Sequence, residues 1–536
     1  MDIIFHFFDY ILRQILKNMS TTTKLSKSSF PFHPFILLFV PLLVIFRGNI
    51  FQVYPEDLVQ PYLILIIPVI LLVVGFYYLF KRSLPKSGLF VSLIILLFFS
   101  YGKIENWFLN FFFGIVFTNE IKLDIPFALF IIPFIVVFLA GLFYCLKTNR
   151  KLDNLTKILN VVSIALVGVI IIQFMGYDFS QSYIFEDDIK IPLEFDLADG
   201  LDEYPDIYYI VLDAYAGSNV LSESYEYENT EFINFLDDHG FNTPEKSQSN
   251  YTVSFLSLSS ALNMQHVTFY TDELGIDSKD RRLALELIHE NRVMQILESN
   301  GYKTISVDSN WGPTNAVRIA NENICEKSPL FNSEILTMSL HGSMLKPIYV
   351  HLLLPADRER VLCIFSELPE IHSKSDKPIF VLAHIMLPHG PYVWGPNGEH
   401  KRIDSLSVLD VEEDKHDYLD QLKFTNKMVQ ETVDRIIDEN KSPKIIIIQS
   451  DHGHAVPMDY WNPTDQMIIE RFSNINYILV PEDQRNSLYD HMTPTNVFRV
   501  LFNSHFNTNL EILDDRVFFS GYDSPYDFVD VTHIFR

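Results

Sequence analysis

Residues Lys444-Ile445-Ile446-Ile447-Ile448-Gln449-Ser450-Asp451-His452-Gly453-His454 decide how the rest of the chain is read. Four consecutive isoleucines are β-branched and apolar on both faces, which predicts a strand buried on both sides. Such a strand belongs to a parallel sheet covered by helices. It delivers a carboxylate and an imidazole side by side into a loop, where Gly453 allows a tight turn. In open α/β sheets, ligands bind beyond the carboxyl ends of the strands. A carboxylate oxygen next to an imidazole nitrogen suits a divalent metal. A polar loop with solvated histidines is the plainer alternative. His454 has less claim on a metal and is expected to line the substrate site or support the ligands from behind.

Other runs of the same kind lie at Ile207–Leu212, Thr304–Val307, Ile379–Ala383 and Tyr477–Val480. Helical patterns separate them. Val429, Val433, Ile436 and Ile437 share one helix face that ends before Ser442-Pro443, and Thr493-Pro494 opens a helix through Phe502. Strands alternating with helices predict an α/β domain with a largely parallel central sheet over residues 205–536. No internal repeat is visible.

Reactive side chains follow these strands. Asp213 emerges where the first strand ends at Leu212, although an Asx turn or helix cap would explain it alone. The segment 247–260 holds seven hydroxyl residues and turns helical near Ser254, with Phe255, Leu258 and Leu262 on one face. A hydroxyl there is an ordinary N-cap. It is also well placed for a nucleophile, because helix N–H groups stabilise an anion and a metal lowers the hydroxyl pKa. Ser254 is the candidate and Thr252 the fallback. His389, in the proline-rich loop from His384 to Tyr392, is a candidate for binding a phosphoryl oxygen or protonating a leaving group. Asn310, Trp311 and Tyr392 are expected substrate contacts.

The remainder of the chain is different in kind. Residues 1–177 carry 14 basic and 8 acidic residues, net +6, while the rest carries 27 basic and 59 acidic, net −32, within a chain of 536 residues and formal charge −26. So acidic a part repels phosphate backbones, which excludes nucleic acid as its partner. Apolar runs at Phe32–Phe46, Leu58–Phe80, Gly88–Tyr101, Pro126–Leu146 and Ile158–Met175 predict about five transmembrane helices over residues 32–175. A linker at 176–204 follows. Eleven basic residues, among them Arg13, Lys81, Arg82, Lys147 and Arg150, fall on one side of a five-span arrangement; only Arg47, Lys103 and Lys122 fall on the other. The positive-inside rule then places the N-terminus in the cytoplasm and the acidic domain outside. Within residues 1–31, Asp2, His6, Asp9, Arg13 and Lys17 make a polar stripe that predicts an interfacial helix. Cys325 and Cys363 are either bridged or two buried thiols; sequence gives no geometry to choose.

The order of these pieces resembles the alkaline phosphatase superfamily: Asp213 after a first strand, a hydroxyl at a helix start in Ser254-Phe255-Leu256-Ser257, a histidine in a proline-rich loop, and Asp451-His452-Gly453 after a late strand. Together with the spans, it is most similar to the membrane-anchored sulfatase-like transferases, which include lipoteichoic acid synthases and phosphoethanolamine transferases. The resemblance implies an α/β/α sandwich with Asp213, Ser254, Asp451 and His452 around one divalent metal, zinc or manganese, with magnesium a further option. It implies a phospholipid or lipid-linked donor, a glycan or lipid acceptor, and a phospho-serine intermediate. The sequence departs from the family in having serine where many relatives have threonine. It also lacks the Cys/Ser-Pro/Ala-Arg pattern of true sulfatases, since Phe255, Leu256 and Ser257 follow Ser254. No second set of metal ligands is evident. Hydrolysis of a phosphate diester or of a sulfuric ester, and a non-catalytic binding role, are the rival expectations.

Overall fold

The computed structural model describes residues 29–113, 127–176, 204–309, 311–326, 333–346, 354–401, 411–439, 442–506 and 508–536. The expected interfacial helix at the N-terminus and nearly all of the expected linker lie outside them. The chain divides into two compact units.

The first unit takes in Met1–Asn49, Tyr54–Phe179 and Ser333–Tyr349. Its apolar helices are α1 (His33–Gly48), α2 (Val59–Leu79), α3 (Leu84–Phe113), α4 (Phe127–Lys147) and α5 (Asp153–Ile172). Among the described residues, the helical stretches Pro55–Leu79, Leu84–Glu105 and Asp153–Ile172 are long and apolar enough to cross a membrane, and His33–Gly48 and Ile131–Lys147 are shorter apolar helices. Leu71, Val161 and Ile172 are exposed. That apolar surface suits lipid, and this is a membrane protein. Several polar groups inside the unit find partners there. Asn160 Oδ1 accepts from the N–H groups of Phe32 and His33 at the start of α1, both at 2.9 Å, and Ser87 Oγ donates to the Val73 carbonyl at 2.6 Å.

Two features differ from expectation. Helix α3 continues past the apolar run Gly88–Tyr101, carrying Glu105 and also Lys103, which was expected in a loop between spans. Glu105 finds a partner there, Lys346 at 2.8 Å. Residues 333–349 accordingly group with the helices and not with the remainder of 205–536. Backbone contact explains this: the Gly102 N–H donates to the Gly342 carbonyl at 3.2 Å, and a Cβ at Gly102 would lie 2.6 Å from that oxygen.

The second unit is an α/β domain. Its sheet is built from β1 (Asp206–Leu212), β2 (Lys303–Val307), β3 (Glu322–Ile324), β4 (Ile379–Ile385), β5 (Lys444–Ser450) and β6 (Asn476–Leu479), in the order β3-β2-β4-β1-β5-β6. All neighbours are parallel except β6, which runs antiparallel to β5 at one edge. Strands β1 and β4 are buried throughout. Alternate side chains enter two cores, as the period of a strand requires. Tyr208, Ile210 and Leu212 pack with Tyr418, Leu422, Val429 and Val433 of α7 (Val411–Glu439). Ile207, Tyr209 and Val211 pack with Leu258 and Leu262 of α6 (Ser254–Asn263) and with Phe498, Leu501 and Phe502 of α9 (Pro494–His505). Fully burying each such side chain contributes about 1.5–3 kcal/mol. Helices thus cover both faces, giving the expected α/β/α sandwich with a largely parallel sheet. Cys325 and Cys363 are disulfide-bonded.

Candidate active site

Register creates the site. Leu212 pairs with Ile385 on one side and Ser450 on the other, so β1, β4 and β5 end level. The residues that follow, Asp213 and Asp451, therefore emerge side by side at the carboxyl edge. Ala214 adopts a left-handed conformation (φ 58°), and its N–H donates to Asp451 Oδ1 at 3.1 Å. Tyr418 of α7 pins the same turn: its hydroxyl donates to the Ala214 carbonyl at 3.0 Å and accepts from the Ala216 N–H at 2.9 Å.

Asp213, Asp451 and His452 are all buried, and each offers one donor atom within 4.8 Å of the others. Among the described residues, Asp213 Oδ1 and Asp451 Oδ2 are buried without a hydrogen-bond partner. Such orphaned carboxylate oxygens are costly unless a cation completes them. The histidine is oriented to match. Its Nδ1 lies 3.1 Å from the Gly453 carbonyl, which assigns the proton to Nδ1 and leaves the lone pair on Nε2. That Nε2 faces Asp451 Oδ2 at 3.4 Å and Ser254 Oγ at 3.3 Å. Two carboxylate oxygens and an imidazole nitrogen fit one divalent metal.

Charges around the cluster follow its burial. Burial pushes the Asp213 carboxyl up, but His389, His384 and His452 outweigh it and hold the group below the usual carboxylate range. Burial pushes the His452 imidazole down to about 4, and Arg471 adds to this. Both groups are thus in the forms a metal requires, carboxylate and neutral imidazole.

Ser254 is the first residue of α6, after Val253 in extended conformation. It is the one partly exposed residue of 251–260. Thr252 is fully buried, and its hydroxyl donates to the Ser520 carbonyl at 3.1 Å, away from the cluster. His389 is exposed; its Nδ1 lies 2.5 Å from the Gly390 carbonyl, and its N–H donates to the Asp213 carbonyl at 3.1 Å. His384 sits behind Asp213, with Nε2 3.6 Å from Oδ2 and Nδ1 2.9 Å from Thr314 Oγ1.

The expected substrate contacts divide. Trp311 lies edge-on against the His384 ring at 5.2 Å and packs into the core, so it supports His384. Asn310 lies outside the described residues. His454 is buried with both ring nitrogens engaged, Nδ1 with the Tyr225 hydroxyl at 2.6 Å and Nε2 with the Tyr392 hydroxyl at 3.0 Å. Its ring stacks on Tyr418 at 4.0 Å. His454 and Tyr392 therefore anchor the loop after β5. Burial and His389 keep His454 uncharged.

One residue escaped the sequence reading. Arg471, near the end of α8 (Asp465–Phe472), directs Nη2 to His452 Nε2 at 3.1 Å and Nε to the Thr252 carbonyl at 2.7 Å. No local pattern marks it, since an arginine in a last helical turn is ordinary.

Residues 205–468 match the family model described as Sulfatase. A sulfatase-family domain thus accounts for residues 205–468. It is an enzyme domain of the alkaline phosphatase superfamily, as its motif order suggested. Comparison with curated proteins finds no match. Among solved structures, the chain is similar to the C-terminal periplasmic domain of EcEptC from Escherichia coli, at 12% identity over 64% of this chain and 96% of that one, with a TM-score of 0.42. It is similar to the integral membrane lipooligosaccharide phosphoethanolamine transferase A from Neisseria meningitidis, at 12% identity over 88% of this chain and 94% of that one, with a TM-score of 0.39. A putative sulfatase from Bacteroides thetaiotaomicron follows at 13% identity over 58% and 72%, with a TM-score of 0.36.

Proposed function

We propose that this chain is a metal-dependent membrane phosphotransferase that moves a phospho-head group, of the phosphoethanolamine or phosphoglycerol kind, from a lipid donor to a lipid or glycan acceptor. The convergence of Ser254 Oγ with Asp213, Asp451 and His452 at the carboxyl edge of the sheet carries this reading. The absence of a formylglycine pattern after Ser254 favours phosphoryl over sulfuryl chemistry.

Asp213, Ser254, Asp451 and His452 would hold zinc or manganese, which supplies charge neutralisation and lowers the pKa of the serine hydroxyl. Ser254 Oγ attacks phosphorus in line, its proton leaving to solvent, while the bond to the leaving oxygen breaks. His389, with Nδ1–H directed at the Gly390 carbonyl and a second proton on Nε2, gives that oxygen its Nε2 proton. In the second half, the acceptor hydroxyl gives its proton to His389 Nε2 as its oxygen takes the phosphoryl group from Ser254, whose departing oxygen regains a proton from solvent. The first-turn N–H groups of α6 stabilise negative charge at Ser254 throughout.

The excess of basic residues on one side of the spans supports an extracytoplasmic catalytic domain. The Cys325–Cys363 disulfide agrees, because such bonds persist in oxidising compartments.

Incubation with a lipid donor labelled in its phosphorus should label the wild-type chain covalently. Ser254→Ala should abolish the label and cut turnover at least about a thousandfold. Undiminished turnover by that variant would sink the assignment. Product analysis with and without a lipid acceptor separates transfer from hydrolysis.

A further inference from the structure

We propose that Arg471 is a catalytic residue of this site, its guanidinium binding the non-bridging oxygens of the phosphoryl group under transfer. The proposal rests on the phosphotransferase reading and names the chemistry that selects the substrate.

Position comes first. The Gly453 N–H donates to the Arg471 carbonyl at 2.8 Å. A Cβ at Gly453 would lie 2.2 Å from the Ser473 carbonyl oxygen and 2.3 Å from that of Glu470. Only glycine lets the last turn of α8 come this close to the loop after β5. The glycine of Asp451-His452-Gly453 thus brings Arg471 against His452 and the Thr252 carbonyl.

The guanidinium is aimed and held. Nε is tied to the carbonyl of Thr252, two residues before Ser254, at 2.7 Å. Nη2 lies 3.1 Å from His452 Nε2, the atom that would ligate the metal and that lies 3.3 Å from Ser254 Oγ, so a bound metal would free Nη2 for the substrate. The Tyr460 ring closes the outer side, 6.0 Å from Cζ.

Its charge lacks a protein counter-ion. Among the described residues, no carboxylate pairs with Arg471, although the chain has net charge −26. Arg282, Arg318 and Arg435 of the same unit are each paired with carboxylates, while Arg485 and Arg499 bond backbone carbonyls far from the metal cluster. A partly buried arginine without a carboxylate, beside a nucleophile, calls for an anionic substrate group. Its planar fork matches two oxygens of a tetrahedral phosphoryl group. The charge count agrees, since Asp213 and Asp451 together cancel one divalent cation. Arg471 then offsets the negative charge that Ser254 gains on losing its proton, which would otherwise repel an anionic substrate.

A purely structural role, holding the Thr252 carbonyl, makes different predictions. The test uses the full chain in detergent micelles with bis(4-nitrophenyl) phosphate as substrate and inorganic phosphate as inhibitor. Arg471→Ala should lose about 100-fold or more in kcat/KM and weaken phosphate inhibition about tenfold, with metal content and melting midpoint unchanged. Arg471→Lys should recover part of the loss, and added guanidinium should partly rescue Arg471→Ala. The proposal is overturned if phosphate inhibition is unchanged in Arg471→Ala, or if the loss tracks lost metal or a lowered melting midpoint. If the wild-type chain turns over no phosphate ester, the phosphotransferase reading fails. Arg471 is then judged by calorimetric binding of inorganic phosphate to wild type and Arg471→Ala.

Discussion

The hydroxyls between Ser247 and Ser260 show how one side chain acquires reactivity that its neighbours lack. Ser247 donates to Asn474, Ser249 and Ser257 to the Tyr251 carbonyl, Thr252 to Ser520, Ser259 to Leu256 and Ser260 to Gln265. Each is spent on the fold. Ser254 instead faces His452 Nε2. Its candidacy was readable from sequence, because hydroxyls mark helix starts; the commitments of the other hydroxyls were not, because Asn474 and Ser520 are distant in sequence and the nearby acceptors depend on how the segment turns. Asp213 invites a test at this scale. Asp213→Asn keeps the shape but removes a charge from the cluster. Metal binding should weaken about 100-fold or more, beyond the cost of losing a residue that merely orients a ligand, while the melting midpoint of the metal-free form changes little. Metal analysis after dialysis against a weak chelator checks this.

Elements position the site by register and by close approach. Strand ends aligned at Leu212, Ile385 and Ser450 put Asp213 and Asp451 together. The strands were legible in the isoleucine-rich runs, but their order in the sheet was not, because the pairings of β1 with β4 and β5 join segments over 170 residues apart. Helix α8 approaches through Gly453. Gly453→Ala should therefore cost about 1–3 kcal/mol from forced displacement of that turn and lower turnover about 100-fold by moving His452 and Arg471; a melt and a turnover assay read the two effects separately. Another helix, Arg282–His289, supplies a pH signature. Burial, reinforced by Arg318, pushes the His289 imidazole down to about 4. Its neutral form is favoured in the fold, so its contribution is fully present above about pH 6.5. It falls as pH drops toward 4 and levels off below, up to about 3 kcal/mol in all. Melting midpoints of wild type and His289→Gln across this range should differ in slope only between those limits.

At the scale of the molecule, opposite compositions sort into two units: apolar helices with exposed Leu71, Val161 and Ile172, and an acidic sulfatase-family domain. The domain is cross-linked by Cys325–Cys363, which closes a loop of 38 residues. Loop-closure entropy sets its contribution at about 4 kcal/mol. The Cys325→Ser/Cys363→Ser chain should lose about that much in denaturant titrations. The denatured, unreduced wild-type chain should show one reactive thiol, Cys145, instead of three. Three reactive thiols would contradict the bridge.

Some of this was settled by local chemistry. The isoleucine run, the apolar helices, and the placement of Asp213, Asp451 and His452 just past strand ends all follow from side-chain type and spacing over a few residues. So did the resemblance that the family match bears out. Other features required the chain to fold back on itself. Which hydroxyl meets His452, the bond between Cys325 and Cys363, the grouping of residues 333–349 with the apolar helices, and the arrival of Arg471 beside Thr252 each depend on contacts between segments distant in sequence. Periodicity records which face of an element is buried. It does not record which partner covers that face, and in this domain the partner decides the chemistry.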